Sequence, residues 1–180
     1  MTGWTRVNWT QARQVAQLMD PHQENLPAEN VTPEAHFTSL CARGELEAAA
    51  GFLGQALPRF EAIEWAQRAL AILPPAPRTE STRKAIGDWI KDPDDRGRRA
   101  AWDAAQDAPD DSPERLLSAA LFLSGGSIAP PDLPTVNPQP ELSGRLAAAA
   151  VVTAAHRSGD AADALRRALG DGENIARGNR

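Results

Sequence analysis

The chain has 180 residues and a formal net charge of −5 at pH 7, with 42% hydrophobic and 24% charged residues. These values are typical of one soluble globular domain. They exclude a membrane-spanning protein, because the longest mostly apolar run, residues 146–155, has ten residues including Thr153, where a span needs roughly 20. The beginning of the sequence lacks the basic and apolar regions of a secretory leader, and the single cysteine, Cys41, forms no internal disulfide, so we expect a cytoplasmic location.

Helix signals dominate the sequence and strand signals are sparse. The chain has no tyrosine, no sustained alternation of polar and apolar residues, and no Asn-Gly hairpin turn. Apolar residues recur instead at helical spacing. The predicted helices lie near residues 10–19, 33–43, 45–57, 59–73, 80–91, 93–106, 113–124, 141–157 and 160–169. We therefore predict an all-α fold, a compact bundle of about 8–9 short helices in antiparallel pairs, with an irregular α-solenoid as the alternative.

Several helix starts carry the same local pattern, a capping side chain, a proline and an acidic first turn. The oxygen of the capping residue accepts a free backbone N–H, and proline at the first helical position loses no hydrogen bond. The starts predicted in this way are Thr32-Pro33, Asp92-Pro93, Ser112-Pro113 and, without proline, Asp160. Gly170 or Gly172 is predicted to end the last helix.

These elements predict one helical domain over residues 1–169. Residues 1–31 form an N-terminal extension with one helix, and residues 170–180 form a polar, glycine-rich tail that we expect to be loosely held. The helix near 59–73 carries two apolar rows, which predicts a central position in the bundle.

Residues 125–140, which we call the proline-rich connection, interrupt the helical pattern. They contain five prolines between Pro130 and Pro140, which favours an extended or polyproline-like conformation. The favoured interpretation is a strap across the bundle that buries three side chains, those of Ile128, Leu133 and Val136. A compatible interpretation is a ligand for an aromatic groove, because Pro131 and Pro134 have P-x-x-P spacing.

Paired carboxylates occur on the predicted central helix. Glu61 and Glu64 are three residues apart, and Arg68 follows four residues after Glu64. The favoured interpretation is a solvated stripe with an internal ion pair. The alternative is an acid/base pair in a closed groove.

Residue types that bind metals or act as nucleophiles are scattered. His22, His36 and His156 show no metal-ligand spacing, so no metal and no cofactor are predicted. Cys41 is predicted to be a structural residue, since it lies about 140° around the helix from His36. Gly125 and Gly126 precede Ser127 and are predicted to end a helix.

The basic residues of segment 83–99 are interleaved with acids, and residues 103–114 carry five acids and no base. Asp95 and Arg99 are predicted to pair, and Arg98 is predicted to lie over Trp102. Because phosphate binding needs uncompensated positive charge, no nucleic-acid partner is predicted.

Three stretches carry distinctive motifs. The first is residues 52–66 with its Leu-Pro-Arg. The second is Trp89-Ile-Lys-Asp-Pro-Asp-Asp with Arg98-Arg99-Ala-Ala-Trp102, and the third is residues 123–134 with Ser-Gly-Gly-Ser-Ile-Ala-Pro-Pro. Together they resemble an uncharacterised bacterial helical domain family whose members tend to be encoded near type VI secretion genes. The resemblance implies an accessory role in secretion and supplies no catalytic residues.

The sequence thus favours a non-enzymatic protein that binds a protein partner, an accessory, adaptor or chaperone-like factor of a type VI system. The predicted contact residues are Gly125, Gly126, Pro130, Pro131, Leu133 and Pro134, with Trp65 and Trp89 as anchors. Core packing is the favoured interpretation for both tryptophans. The alternative functions are an enzyme that uses Glu61 and Glu64, and an immunity protein that presents the acids of residues 103–114 to a secreted toxin.

Overall fold

A computed structural model describes residues 3–20, 22 and 25–179, and these residues form nine helices and no strand. The helices are α1 Ala12–Met19, α2 Pro33–Ala42, α3 Leu46–Ala56, α4 Arg59–Leu70, α5 Glu80–Lys91, α6 Asp95–Ala104, α7 Pro113–Phe122, α8 Pro140–Arg157 and α9 Ala161–Ala176. The prediction of an all-α bundle is confirmed. Within the described ranges, every helix is too short or too polar to cross a bilayer. Parts of the predicted N-terminal extension and Arg180 of the predicted tail lie outside the described residues.

The α8 helix is the hub of the bundle. It packs against α1, α3, α4, α7 and α9, while α5 and α6 pair with each other and contact α7. Helix α4 contacts α3, α5, α7, α8 and α9, as its two apolar rows predict. Contacts between helices far apart in sequence give a compact bundle, whereas a solenoid would pack each unit only on its neighbours.

Three predicted caps are present at helix starts. Thr32 accepts a hydrogen bond from the amide of Ala35 at 3.2 Å, Ser112 accepts one from Arg115 at 3.2 Å, and Asp160 accepts one from Asp163 at 3.0 Å. The prediction for α6 is wrong in register. Its cap is Asp94, which accepts from the amide of Gly97, and the helix therefore starts two residues later than the Asp92-Pro93 pattern predicts.

Helices α3 and α8 cross at two glycines. A Cβ atom built on Gly54 would lie 2.6 Å from the carbonyl oxygen of Gly144, and one built on Gly144 would lie 2.4 Å from that of Gly54. No side chain fits in this contact, because real Cβ atoms do not approach backbone so closely. The two helices therefore pack backbone to backbone, which helps to bury α8 at the centre.

Helix α9 continues seven residues beyond the predicted end at residue 169 and stops at Ala176. Gly172 is a packing position rather than a stop, since a Cβ there would lie 2.5 Å from Leu53 and 2.7 Å from the indole nitrogen of Trp65. Ile175 and Ala176 are buried. The expectation of a loosely held segment is thus wrong for residues 170–176, because their burial outweighs the low helix propensity of glycine.

Candidate functional site

A shallow groove lies at the end of the bundle where the loop after α7 meets the start of α4 and the junction of α5 and α6. Its lining includes Arg59, Phe60, Trp89, Asp94, Gly125 and Gly126. The groove therefore contains residues from all three stretches that carry the sequence resemblance. It also joins three of the predicted contact residues in one place.

Arg98 holds the base of this groove from α6. Only 4% of the residue is exposed. Its guanidinium donates to the carbonyl oxygen of Phe122, to that of Ser127 at 2.9 Å, and to the carboxylate of Asp95. The charge also lies over the ring of Phe122, 4.8 Å from the ring centroid, so the predicted contact with Trp102 is wrong. The ring of Trp102 stacks on Phe122 instead, with centroids 5.2 Å apart.

Two more arginines bind main-chain carbonyls of the same loop. Arg99 donates to Ser127 at 2.8 Å, and Arg59 donates to Ser124 at 2.8 Å. These carbonyls follow the C-terminus of α7, where the helix dipole concentrates negative charge. Together with Arg98, these side chains fix the loop to α4 and α6. The prediction from sequence missed this arginine set, although each of the first two resembling stretches contains at least one of its members.

The backbone conformation and the neighbours of Gly126 both exclude a side chain at this position. Its φ is +68°, and a Cβ there would lie 3.1 Å from both the Arg98 guanidinium and the Asp95 carboxylate. A side chain would be strained by the backbone and crowded by the ion pair. Gly125, by contrast, faces open space. The two adjacent glycines thus have different roles, and only Gly126 is required by geometry.

The two predicted anchor tryptophans are both buried, as core packing predicts, and only Trp89 also borders the groove. Trp89 lines the groove, its indole N–H donates to the carbonyl oxygen of Asp94 at 3.0 Å, and its ring lies 5.7 Å from that of Phe60. Trp65 is fully buried, and its indole N–H donates to Ala168 of α9 at 2.7 Å. Core packing therefore describes Trp65, whose indole contacts the bundle and not the surface.

Residues 127–136 form a loop that is closed at its base, and we call them the closed loop. The hydroxyl oxygen of Ser127 accepts from the amides of Ala129 and Val136, each at 3.1 Å, and the amide of Ile128 donates to the carbonyl oxygen of Val136 at 2.9 Å. The carbonyl oxygen of Ser127 also accepts a hydrogen bond from Arg98, which lines the groove. The base of the closed loop is therefore adjacent to the groove.

The closed loop projects from the bundle instead of lying across it. Leu133 is 55% exposed and Val136 is 50% exposed. The prediction that these two side chains pack into the bundle is therefore wrong, and Ile128 alone of the three is partly buried. Pro130, Pro131 and Pro134, predicted as contact residues, are exposed as well.

The predicted P-x-x-P element is also interrupted. The amide of Leu133 donates to the carbonyl oxygen of Pro130 at 3.0 Å, which closes a turn around Pro131 and Asp132. A polyproline helix has no internal hydrogen bonds. Pro131 thus lies within the turn and Pro134 follows it, so the loop presents a turn rather than a straight polyproline ligand.

Glu61 and Glu64 are more buried than a solvated stripe, with side chains 13% and 14% exposed. Each has its own arginine. Glu61 lies 3.9 Å from the guanidinium of Arg6, and Glu64 lies 2.7 Å from that of Arg68. The two carboxylates therefore belong to two separate ion pairs. The Glu64–Arg68 pair is the one that the sequence predicts.

Cys41 and His36 lie on α2 with different neighbours. Cys41 lines a cavity of mixed polarity with Phe37 and Leu169, and burial raises the pKa of its thiol. The ring of His36 lies 4.8 Å from that of Phe52, and burial lowers the pKa of the imidazole. In the part of the chain that the structure describes, no group of three or more His, Cys, Asp or Glu side chains is placed to hold a metal ion.

Most of the basic residues of segment 83–99 are paired with acids, some on the same helix and one, Arg83, with a residue of α7. Arg83 donates to the buried carboxylate of Glu114 at 2.8 Å, Lys84 pairs with Asp88 on the same helix, and Arg99 pairs with Asp95 at 2.9 Å. These contacts match the predicted pairing of Asp95 and Arg99 and take up much of the positive charge.

One family model matches most of the chain. The model of a family of unknown function, DUF6931, matches residues 36–176. The chain belongs to this family. The matched region contains α3 to α9 and all residues of the groove and of the closed loop, while residues 3–35 lie outside it. The family's uncharacterised status agrees with the resemblance described above. No curated protein and no solved structure matches the chain.

Proposed function

We propose that this member of DUF6931 is a non-enzymatic protein-binding accessory of a bacterial type VI secretion system, an adaptor or chaperone-like factor. The exposed side chains of the closed loop support the proposal that the protein binds a protein partner. Among the described residues, the exposed large hydrophobic side chains are Ile72, Leu133 and Val136. Two of the three therefore belong to one short loop. The type VI half rests on the resemblance of the three sequence stretches.

The physical argument concerns the cost of exposing these side chains. Fully burying a leucine or valine side chain is favourable by about 1.5–3 kcal/mol, and Leu133 and Val136 forgo half of that burial in the free protein. A partner surface that covers both would recover it. The loop is fixed at its base by Ser127 and by the arginines, so little further ordering opposes binding.

The chemistry of the closed loop defines the partner surface. Pro130, Pro131 and Pro134 lack backbone N–H groups, and Asp132 is the one charged residue of residues 127–136. The loop therefore offers apolar surface with few donors. We expect it to bind an apolar pocket on a protein rather than a charged polymer.

The test is affinity capture from the native host with tagged full-length chains. The variant is Leu133→Ser/Val136→Ser. The matched control is Ile72→Ser, which removes a hydrophobic side chain that is 42% exposed and lies outside the loop. We expect the wild type and the control to capture the same partner, identified by mass spectrometry as a type VI component or effector, and the double variant to lose it. Equal capture by the double variant, with its helical content intact, would remove the loop from the proposal.

A further inference from the structure

Residues 3–10, which we call the N-terminal segment, lie over α2, α4 and the end of α9, with a bend at Thr5 and Arg6. Trp4, Val7 and Trp9 face the bundle and pack against its core, while Thr5, Arg6 and Asn8 between them are exposed. We propose that the surface beneath this segment is a peptide-binding groove for Trp-x-x-Val-x-Trp sequences, and that the protein's own segment is its exchangeable occupant. This inference is independent of the closed loop.

The surface beneath the N-terminal segment contacts that segment in three ways. The amide of Arg6 donates to the carbonyl oxygen of Ala176 at 2.9 Å. The ring of Trp4 lies 5.2 Å from that of Phe37, tilted by 55°. The guanidinium of Arg6 lies 3.9 Å from the carboxylate of Glu61. Main-chain pairing, an aromatic contact and an ion pair are the means by which proteins bind extended peptides.

The end of α9 supplies the main-chain acceptors. The last carbonyls of a helix have no partner within the helix. Here Ala176 accepts from the amide of Arg6, and Arg177 accepts from the hydroxyl of Thr5 at 2.8 Å. A second peptide with an amide and a hydroxyl at the same spacing could make the same bonds.

The segment and most of the surface beneath it belong to different parts of the chain. Phe37, Glu61 and Ala176 lie within residues 36–176, the region matched by the family model, and the N-terminal segment lies outside it. Residues 32–34 and Arg177, which also border the segment, lie just outside the matched region.

The packing of the segment is incomplete in two places, which favours exchange. Within the described residues, the buried indole nitrogen of Trp4 has no hydrogen-bond partner. Cavities lie on both sides of Trp9, one shared with Trp4 and Val7 and one shared with Gly54. The following helix is packed differently, since Ala12 and Val15 of α1 are fully buried. The segment can thus leave its groove while α1 stays in place.

The experiment measures binding of a labelled peptide, Gly-Trp-Thr-Arg-Val-Asn-Trp-Thr, to full-length proteins by fluorescence anisotropy. Trp4→Ala/Trp9→Ala weakens the protein's own segment by removing its rings. Arg6→Pro weakens it by removing both the amide donor to Ala176 and the guanidinium near Glu61, while the side chain it changes is exposed. Because the bound segment competes with the peptide, we expect both variants to bind it at least about tenfold more tightly than the wild type does.

The control peptide has both tryptophans replaced by alanine and should not bind any of the proteins. The proposal is overturned if neither variant binds the parent peptide saturably, or if the control peptide binds equally well. Circular dichroism checks the fold of each variant. Should the double variant lose its helices, Arg6→Pro decides the question, since it leaves every buried side chain in place.

Discussion

The guanidinium of Arg98 reaches from α6 to the carbonyl oxygen of Ser127, a residue 29 positions later, at 2.9 Å. The same oxygen accepts from Arg99 at 2.8 Å, and the hydroxyl of Ser127 closes the loop by accepting from the amide of Val136 at 3.1 Å. One serine thus links a buried arginine on one side to an exposed apolar loop on the other. The position of the closed loop therefore depends on arginines of α6, which lie outside the loop.

Replacing Arg98 by alanine should destabilise the protein by about 2–4 kcal/mol, because the carbonyls of Phe122 and Ser127 lose a charged donor in a buried place. Arg96→Ala is the matched control, since Arg96 is exposed on the same helix, and its effect should stay within about 0.5 kcal/mol. Urea unfolding measures both. Equal effects of the two substitutions would contradict the role given to Arg98.

The two glycines before Ser127 should respond differently to alanine. At Gly126 the positive φ and the 3.1 Å approach to Arg98 both oppose a side chain, so Gly126→Ala should cost about 1–2 kcal/mol. At Gly125 a Cβ meets nothing within 4 Å, and the loss should be below about 0.5 kcal/mol. Thermal unfolding of the two variants compares them, and the reverse order would refute the assigned loop geometry.

A second glycine pair tests the extent of α9. Gly170→Ala should stabilise the protein by up to about 1 kcal/mol, because the position is exposed, helical and open. Gly172→Ala should destabilise it by about 1–3 kcal/mol, since a Cβ would press on Leu53 and Trp65. Chemical denaturation gives both free energies of unfolding. If Gly172→Ala were stabilising, the packing of α9 on α3 and α4 would be wrong.

The carboxylate of Asp95 should contribute to the loss of folding stability at acidic pH. Hydrogen bonds from Arg99 and Arg98 lower the pKa of Asp95 in the folded protein. A lowered folded pKa gives stability that is present above the unfolded pKa, about 4, and is lost as the pH falls through the folded pKa. Asp95→Asn should therefore lower the free energy of unfolding at pH 7 and lower it less at pH 3. An equal effect at both pH values in urea titrations would contradict this linkage.

Local chemistry explains which parts of the fold could be predicted from sequence. The caps at Thr32, Ser112 and Asp160 involve atoms within three residues of each other, so a short sequence window contains the whole interaction. The register error at Asp92 arose because two aspartates compete for the same cap, and Trp89 donates to the carbonyl of Asp94 to favour the later start.

Distant contacts explain the failures. Gly172 looks like a helix end until its distance from Trp65 is known, and that contact joins residues more than a hundred positions apart along the chain. The stack of Arg98 on Phe122 also depends on a residue outside the helix of the arginine. The sequence shows which side chains are able to pair, and only the packed bundle shows which of them meet.

For the predicted contact residues too, one feature could be predicted from sequence and another could not. Composition alone indicated that residues 125–140 are not helical, and the structure agrees up to Pro140, where α8 begins. The exposure of Leu133 and Val136 could not be predicted, because an apolar residue after proline is compatible with either packing or projection. The hydrogen bonds of Ser127 decide it by closing the loop upon itself.

The most direct test of the account is site-specific photocrosslinking in the native host. A photoreactive residue replaces Leu133 at the tip of the closed loop, and a control chain carries it at Lys84, which is exposed on α5. The account predicts a discrete adduct with one protein from position 133 and none from position 84. The absence of any adduct at 133, or the same adducts from both positions, would contradict the claim that the closed loop binds a protein partner.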